Sequence, residues 1–142
     1  MLLNLVPLEI PHGWAVLYNA FSRIEPIIQD GVIVNDQYYQ QNLLLISQLK
    51  HTDAGWNIDP QGIRFDVGWY PESSPDGAFQ LVVLQADWEN IIIRLKSKNR
   101  DVIAEAINNF MNVVHIGGGD VGIVSFAELL KLRYPDINLI TA

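Results

Sequence analysis

The stretch GIRFDVGWY at residues 62–70 decides the fold, because apolar and polar residues alternate along it. Side chains point in turn to the two sides of a β-strand, so this alternation predicts a strand with one buried face. The buried side would carry Ile63, Phe65, Val67 and Trp69, and the other side would carry Arg64, Asp66, Gly68 and Tyr70.

Two further strands are predicted directly after this one. Residues 78–86 (AFQLVVLQA) and 90–98 (NIIIRLKSK) are rich in strand-forming residues, and the turn formers of 71–77 (PESSPDG) and 87–90 (DWEN) separate the three runs. The pattern predicts an antiparallel three-stranded meander joined by hairpin loops.

The register of this meander follows from the position of its apolar residues. Between the first and second strands we expect Val67 opposite Val82 and Phe65 opposite Leu84. Between the second and third strands we expect Leu84 opposite Ile93 and Val82 opposite Leu95. The buried face would then hold Ile63, Phe65, Val67, Trp69, Val82, Leu84, Ile91, Ile93 and Leu95. The opposite, mixed face would hold Arg64, Asp66, Tyr70, Phe79, Leu81, Val83, Arg94, Lys96 and Lys98.

An amphipathic helix is predicted to cover the buried face of the meander. In NRDVIAEAINNFMNVVHIGG at 99–118, Asn99 can cap the helix, Asp101 complements the helix dipole and Gly117 ends it. The apolar residues that recur at helical spacing are Ile103, Ile107, Phe110 and Val114.

A glycine-rich joint, HIGGGDVG at 115–122, leads to the C-terminal segment. Its glycines could also hold an anion, but the segment lacks the lysine and hydroxyl of a phosphate-binding loop. A second helix is predicted from a capping box of Ser125 and Glu128 to Pro135, followed by a last strand in INLIT at 137–141.

The first third of the chain gives weaker patterns. Residues 13–26 (GWAVLYNAFSRIEP) predict a strand bent near Asn19, and 31–35 (GVIVN) predict a short strand. Residues 35–55 (NDQYYQQNLLLISQLKHTDAG) predict a helix, although LLLI is also compatible with a buried strand. Together the elements predict one α+β domain over 1–142, an antiparallel sheet with helices on one face and residues 116–142 packed on it as an extension.

Composition excludes several functional classes. The chain of 142 residues has no cysteine and a net charge of −7. The acidic charge argues against a nucleic-acid binder, and no apolar run approaches the roughly 20 residues that span a bilayer. The lack of cysteine is typical of a reducing compartment, so we expect a cytoplasmic protein.

No motif indicates catalysis, a metal or a cofactor. His12, His51 and His115 are scattered, the acid pairs Glu72/Asp76 and Asp87/Glu89 lie in solvated turns, and no serine lies in a nucleophile-elbow pattern. We therefore expect a binding protein and not an enzyme.

Two features predict where a partner would bind. Tyr70 and the acids Glu72 and Asp76 lie at an exposed hairpin bend, and interfaces are enriched in tyrosine. Arg94, Lys96 and Lys98 alternate along one strand, which is typical either of a docking stripe for an acidic partner or of an edge strand protected from pairing. The mixed sheet face that carries them could be covered by the C-terminal segment, pair with a second copy in a homodimer, or bind a partner.

The chain resembles the small immunity proteins of bacterial contact-dependent inhibition and related polymorphic toxin systems. The resemblance covers roughly 13–114 and rests on GWAVLYNAFSRIEP, FDVGWYPESSPDGAFQLVVL, ADWEN and the closing helix. Its sharpest residues are Trp14, Asn19, Phe21, Pro26, Asp66, Gly68, Trp69, Tyr70, Pro71 and Glu72.

The resemblance implies a non-enzymatic protein that neutralises a cognate toxin domain by occluding its active site or substrate surface. The toxin-facing residues of this family vary widely, so no binding residue is carried over. The alternative is a small-ligand carrier with an apolar pocket between sheet and helices, since four tryptophans and five phenylalanines could line one. A small enzyme of unfamiliar type is a third reading, and it would need titratable groups that converge in one cleft.

Overall fold

The computed structural model describes residues 4–141. The strands are β1 (Trp14–Asn19), β2 (Ile28–Gln29), β3 (Val32–Ile33), β4 (Leu44–Thr52), β5 (Gly55–Ile58), β6 (Ile63–Tyr70), β7 (Ala78–Gln85), β8 (Ile91–Ser97) and β9 (Asn138–Thr141). The helices are α1 (Arg100–His115) and α2 (Gly119–Arg133), with a 3-10 turn at Asp36–Tyr38.

One antiparallel sheet organises the described part of the chain. Its strands lie in the order β1-β4-β6-β7-β8-β9, β5 pairs with the far end of β4, and β2 and β3 form a separate hairpin. Helix α1 packs against β7 and β8, and α2 packs against α1, β8 and β9. The predicted α+β fold is confirmed, and the C-terminal segment supplies a strand beside β8.

The three meander strands are confirmed, but their predicted register is wrong by one residue. Val67 lies opposite Leu81, and Ile93 lies opposite Val83. The helix-covered core therefore contains Phe79, Leu81 and Val83, whereas Val82 and Leu84 point to the other face. The alternation predicted the wrong register because β7 has large apolar residues on both faces, so either parity would bury at least two of them.

A bulge at Ile92 adds to this difference. The β7–β8 pairing passes from Val83–Ile93 to Leu84–Ile91, which leaves one extra residue on β8. As a result Ile92 joins the core cluster, and Ile91, which was predicted to be in the core, pairs with Leu84 on the other side.

The helix predicted over 35–55 is wrong, because its central apolar run belongs to β4 and only a short 3-10 turn lies before it. Strand β4 pairs with β1 on one side and β6 on the other, so it is central in the sheet and buries Leu44 and Ile46. These tertiary contacts outweigh the helical preference of the glutamines around LLLI. The strand predicted over 13–26 ends at Asn19, and a register shift between Val16 and Tyr18 bends it.

Helix α1 forms as predicted, whereas α2 begins earlier than predicted. The Asn99 side chain accepts a hydrogen bond from the backbone N–H of Asp101 at 2.9 Å, and Gly117 follows the helix with φ +82°. Ser125 lies inside α2, so the predicted capping box is wrong. Helix α2 ends at Arg133, before Pro135 as expected, and β9 confirms the last strand.

Aromatic rings fill the space between the sheet and α1. Trp14 stacks on Phe65 with ring centroids 5.2 Å apart, and Phe65 stacks on Phe110 at 6.4 Å. Neither α1 nor α2 is long and apolar enough to cross a membrane.

Candidate functional site

The sheet face turned away from the helices, called the outer face below, carries one continuous row of side chains. The register aligns its members on β1, β4, β6, β7, β8 and β9, and they are Tyr18, Leu45, Asp66, Val82, Arg94 and Ile140. Val82 is only 2% exposed, whereas Tyr18 is 51% exposed. The row thus combines an apolar floor with accessible aromatic and charged groups.

The outer face is basic although the whole chain is acidic. Arg64, Arg94 and Lys96 lie on it by register and parity, and Asp66 is the only carboxylate in β6, β7 and β8. These three strands thus place three cations and one carboxylate on the outer face of a chain whose net charge is −7.

Tyr70 is held at one corner of the outer face by residues 40–43, called the crossing segment below, which pass over Gly68. A β-carbon at position 68 would lie 2.0 Å from the carbonyl oxygen of Gln41, so only glycine allows this crossing. The crossing segment bonds to β6 on both sides of Gly68, through Leu43 N–H to Val67 O at 2.9 Å and Trp69 N–H to Gln40 O at 2.8 Å. The Tyr70 ring lies directly beside Gly68, and its hydroxyl is 3.5 Å from Gln41 O.

The loop after Tyr70 is fixed from below by Trp69. The Trp69 indole N–H donates to Ser74 O at 2.7 Å, and its ring meets Tyr39 and Phe79 edge to face with centroids 4.9 Å apart. Ser73 N–H donates to Tyr39 O at 2.8 Å. Trp69 therefore faces the core, as its parity predicts, and holds the loop that carries Glu72.

Three charged groups influence the Tyr70 hydroxyl electrostatically. Burial raises the pKa of Tyr70, the carboxylates of Asp66 and Glu72 raise it further, and the Arg94 guanidinium lowers it. Glu72 and Arg94 thus act on Tyr70 electrostatically, although no hydrogen bond or ion pair among the described residues joins these three predicted binding residues, which are called the Tyr70 corner below.

Lys96 and Lys98 lie in a different place from the Tyr70 corner. They line a surface cleft of about 470 Å³ together with Ala78, Asp136 and Asn138. β8 is not an edge strand, because β9 pairs along it, so the cations do not protect an unpaired edge. The sequence missed this because four-residue β9 lies 41 residues beyond the end of β8 in the chain.

Asp76 stands apart from the other predicted residues. It is exposed, and its backbone N–H donates to Ser74 Oγ at 3.2 Å. Within residues 4–141 no hydrogen bond or ion pair joins its carboxylate to the other five.

A cleft of about 420 Å³ opens on the outer face beside Asp66. Its lining is mostly apolar and consists of Tyr18, Asn42, Leu44, Leu45 and Asp66. Burial raises the pKa of Asp66, and its carboxylate makes no ion pair among the described residues. Alternation had placed Asp66 on this face, but the pairing of β1 with β4 that brings in Tyr18 and Leu45 has no local sequence signal.

A half-buried arginine ties the N-terminal third to α1. Arg100 donates to Arg23 O at 3.1 Å, to Glu25 Oε1 at 2.7 Å and to the Tyr39 hydroxyl at 3.3 Å. Burial raises the pKa of Tyr39, and Arg100 lowers it. This network supports the aromatic cluster beneath the Tyr70 corner.

The histidines and acids do not converge on a metal site in the described residues. His12 and His51 both contact the Trp56 ring edge on, at 4.8 and 5.2 Å, and His115 lies in the last turn of α1. A further cleft of about 670 Å³ is lined by Glu9, Pro11, Glu105 and Asn108, and Glu9 N–H donates to Asn108 Oδ1 at 3.0 Å. Its lining is polar and open, and the Glu105 carboxylate there already binds Arg133 at 2.7 Å.

Comparison of the chain with protein-family models, with curated proteins and with solved structures gave no match. The resemblance to immunity proteins therefore rests on sequence motifs alone and stays a prediction.

Proposed function

We propose that this chain is a non-enzymatic protein-binding module that neutralises a partner, a toxin domain, by covering it with the outer face and the Tyr70 corner. The observation that carries the proposal is the fixed position of Tyr70 at one corner of the sheet face turned away from the helices. Gly68, Gln41 and Trp69 set the backbone around it.

A surface of this kind suits occlusion of a partner. Tyrosine supplies a large contact area with few rotatable bonds, and a surface already held in place loses little conformational entropy on binding. Glu72 and Arg94 next to Tyr70 offer charges of both signs, which select a partner by complementary charge. The cleft lined by Lys96 and Lys98 extends the same interface toward β9.

The test is isothermal titration calorimetry with the protein encoded by the adjacent gene as the proposed toxin partner. We expect Tyr70→Ala and Arg94→Glu each to weaken binding by about 2 kcal/mol, the range of residues that dominate an interface. Lys50→Glu is the charge-matched control, because Lys50 is exposed on the β4–β5 ribbon outside the outer-face row. Equal affinity of all three variants and the wild type would refute the assignment of this face.

Two other proposals can be tested on the same protein. A homodimer through the outer face predicts a concentration-dependent mass in sedimentation that Arg94→Glu changes. An apolar ligand pocket predicts saturable binding of a fatty-acid probe, but the stacked rings between sheet and α1 give no observation in its favour.

A further inference from the structure

The cleft beside Asp66 has the dimensions of a slot for one extended side chain. Tyr18, Leu45 and Asp66 are consecutive partners across β1, β4 and β6. Neighbouring strands are about 4.8 Å apart, so Tyr18 and Asp66 form two walls on the order of 10 Å apart with Leu45 as the floor. An alkyl chain in contact with both walls needs about 7–8 Å.

The slot is chemically asymmetric. Tyr18 and Leu45 make one side apolar and aromatic, and the Asp66 carboxylate on the other side has no ion-pair partner among the described residues. A half-buried carboxylate without a cation is energetically unfavourable, and a ligand cation would relieve this cost.

We propose that this slot binds the side chain of a lysine or arginine that the protein partner inserts. The alkyl stem would pack on Leu45, the cationic end would bind Asp66, and the Tyr18 ring would face the charge. This inference rests on the proposed function, because it names the chemistry of the partner that the outer face binds.

The other charged groups near Asp66 determine how strongly a ligand cation is repelled from the slot. The charged and titratable groups around Asp66 are Arg64 and Tyr70 on β6, Arg94 on β8 and Tyr18 on β1, whereas β4 and β7 present Leu45 and Val82. Arg94 lies two strands away on the side opposite the slot, at about the Debye length of roughly 8 Å or beyond, so its repulsion of the incoming cation is screened. The attraction between the ligand cation and the Asp66 carboxylate acts at direct contact, so salt does not screen it in this way.

The experiment is an NMR titration of the full chain with N-acetyl-lysine N-methylamide and with N-acetyl-norleucine N-methylamide, which has the same alkyl stem but lacks the terminal ammonium group. We expect the lysine probe to shift the amide signals of Tyr18, Leu45 and Asp66. The norleucine probe should bind about tenfold more weakly or worse, the loss expected for one charge-assisted hydrogen bond.

Variants separate the carboxylate from general surface charge. Asp66→Asn should lose the preference for lysine while it keeps the folded spectrum, and Asp76→Asn, which removes an exposed acid outside the slot, should keep it. Equal binding of the two probes, retention of the preference in Asp66→Asn, or no shift at these amides would overturn the proposal. Tighter binding of free cadaverine than of the capped lysine would assign the slot to a small cation and overturn the partner-side-chain assignment.

The two experiments distinguish failure of the slot proposal from failure of the proposed function. If the toxin domain does not bind the wild type but the lysine probe does, the slot stands and the proposed function fails. If Tyr70→Ala abolishes toxin binding but the lysine probe does not bind, the slot fails and the proposed function stands.

Discussion

Gly68→Ala should be strongly destabilising, although alanine is normally preferred to glycine in a strand. The new β-carbon would lie 2.0 Å from Gln41 O and 2.7 Å from the Gln41 carbonyl carbon, and both are backbone atoms that cannot rotate away. Relief requires the crossing segment to move, which weakens the bonds from Leu43 N–H to Val67 O and from Trp69 N–H to Gln40 O.

The magnitude follows from these two effects. Overpacking costs about 1–3 kcal/mol, and each weakened hydrogen bond adds up to about 1 kcal/mol. We expect a loss of about 2–4 kcal/mol in the free energy of unfolding. At about 2–4 °C per kcal/mol for a chain of this size, Tm should fall by roughly 5–15 °C.

Urea unfolding followed by tryptophan fluorescence measures this loss, because Trp69 reports on the same region. Gly31→Ala is the control: its β-carbon would meet nothing within 4 Å, and only its φ of +77° opposes alanine, so it should cost about 1 kcal/mol. A Gly68→Ala protein as stable as the wild type, or less affected than Gly31→Ala, would refute the close crossing of Gln41 over the outer face.

Three further predictions concern stability. Trp69→Phe removes the indole N–H that donates to Ser74 O, which then keeps only its bond from Gly77 N–H, so it should cost about 0.5–1.5 kcal/mol in urea unfolding and increase proteolysis in the loop 71–77. Arg100→Met should cost about 2–3 kcal/mol in the same assay, because the Arg100 side chain is 12% exposed and makes three hydrogen bonds. Arg133→Met is the control and should cost under about 1 kcal/mol, because the Arg133 side chain is 62% exposed. Burial raises the pKa of the Asp66 carboxyl group, so this group binds its proton more tightly in the folded state than in the unfolded chain. The free energy of unfolding therefore falls as pH rises from the pKa of the unfolded chain through the pKa of the folded state. Asp66→Asn should therefore be more stable than the wild type at neutral pH, and this advantage should disappear below about pH 3.9 in unfolding measured across pH; a constant difference would contradict it.

The sequence by itself determined the elements whose patterns are local. Alternation over 63–70 predicts β6, and the turn formers on either side of β7 predict both hairpins. Asn99 and Gly117 predict the bounds of α1, because a cap and a left-handed stop act within one turn of the helix. Tyr70 and Trp69 could likewise be placed on opposite faces from parity alone.

Only the tertiary structure decided which face of β7 is buried and what β4 becomes. Strand β7 has apolar residues on both sides, so the choice of Leu81 and Val83 over Val82 and Leu84 depends on packing against β8 and α1. Segment 44–52 is a strand because β1 and β6 supply its hydrogen-bond partners. Strand β1 is distant from it in the sequence, and β6 follows only after the β5 segment. The slot beside Asp66 depends on the same pairings, because Tyr18 and Leu45 become neighbours of Asp66 only when three separate segments join one sheet.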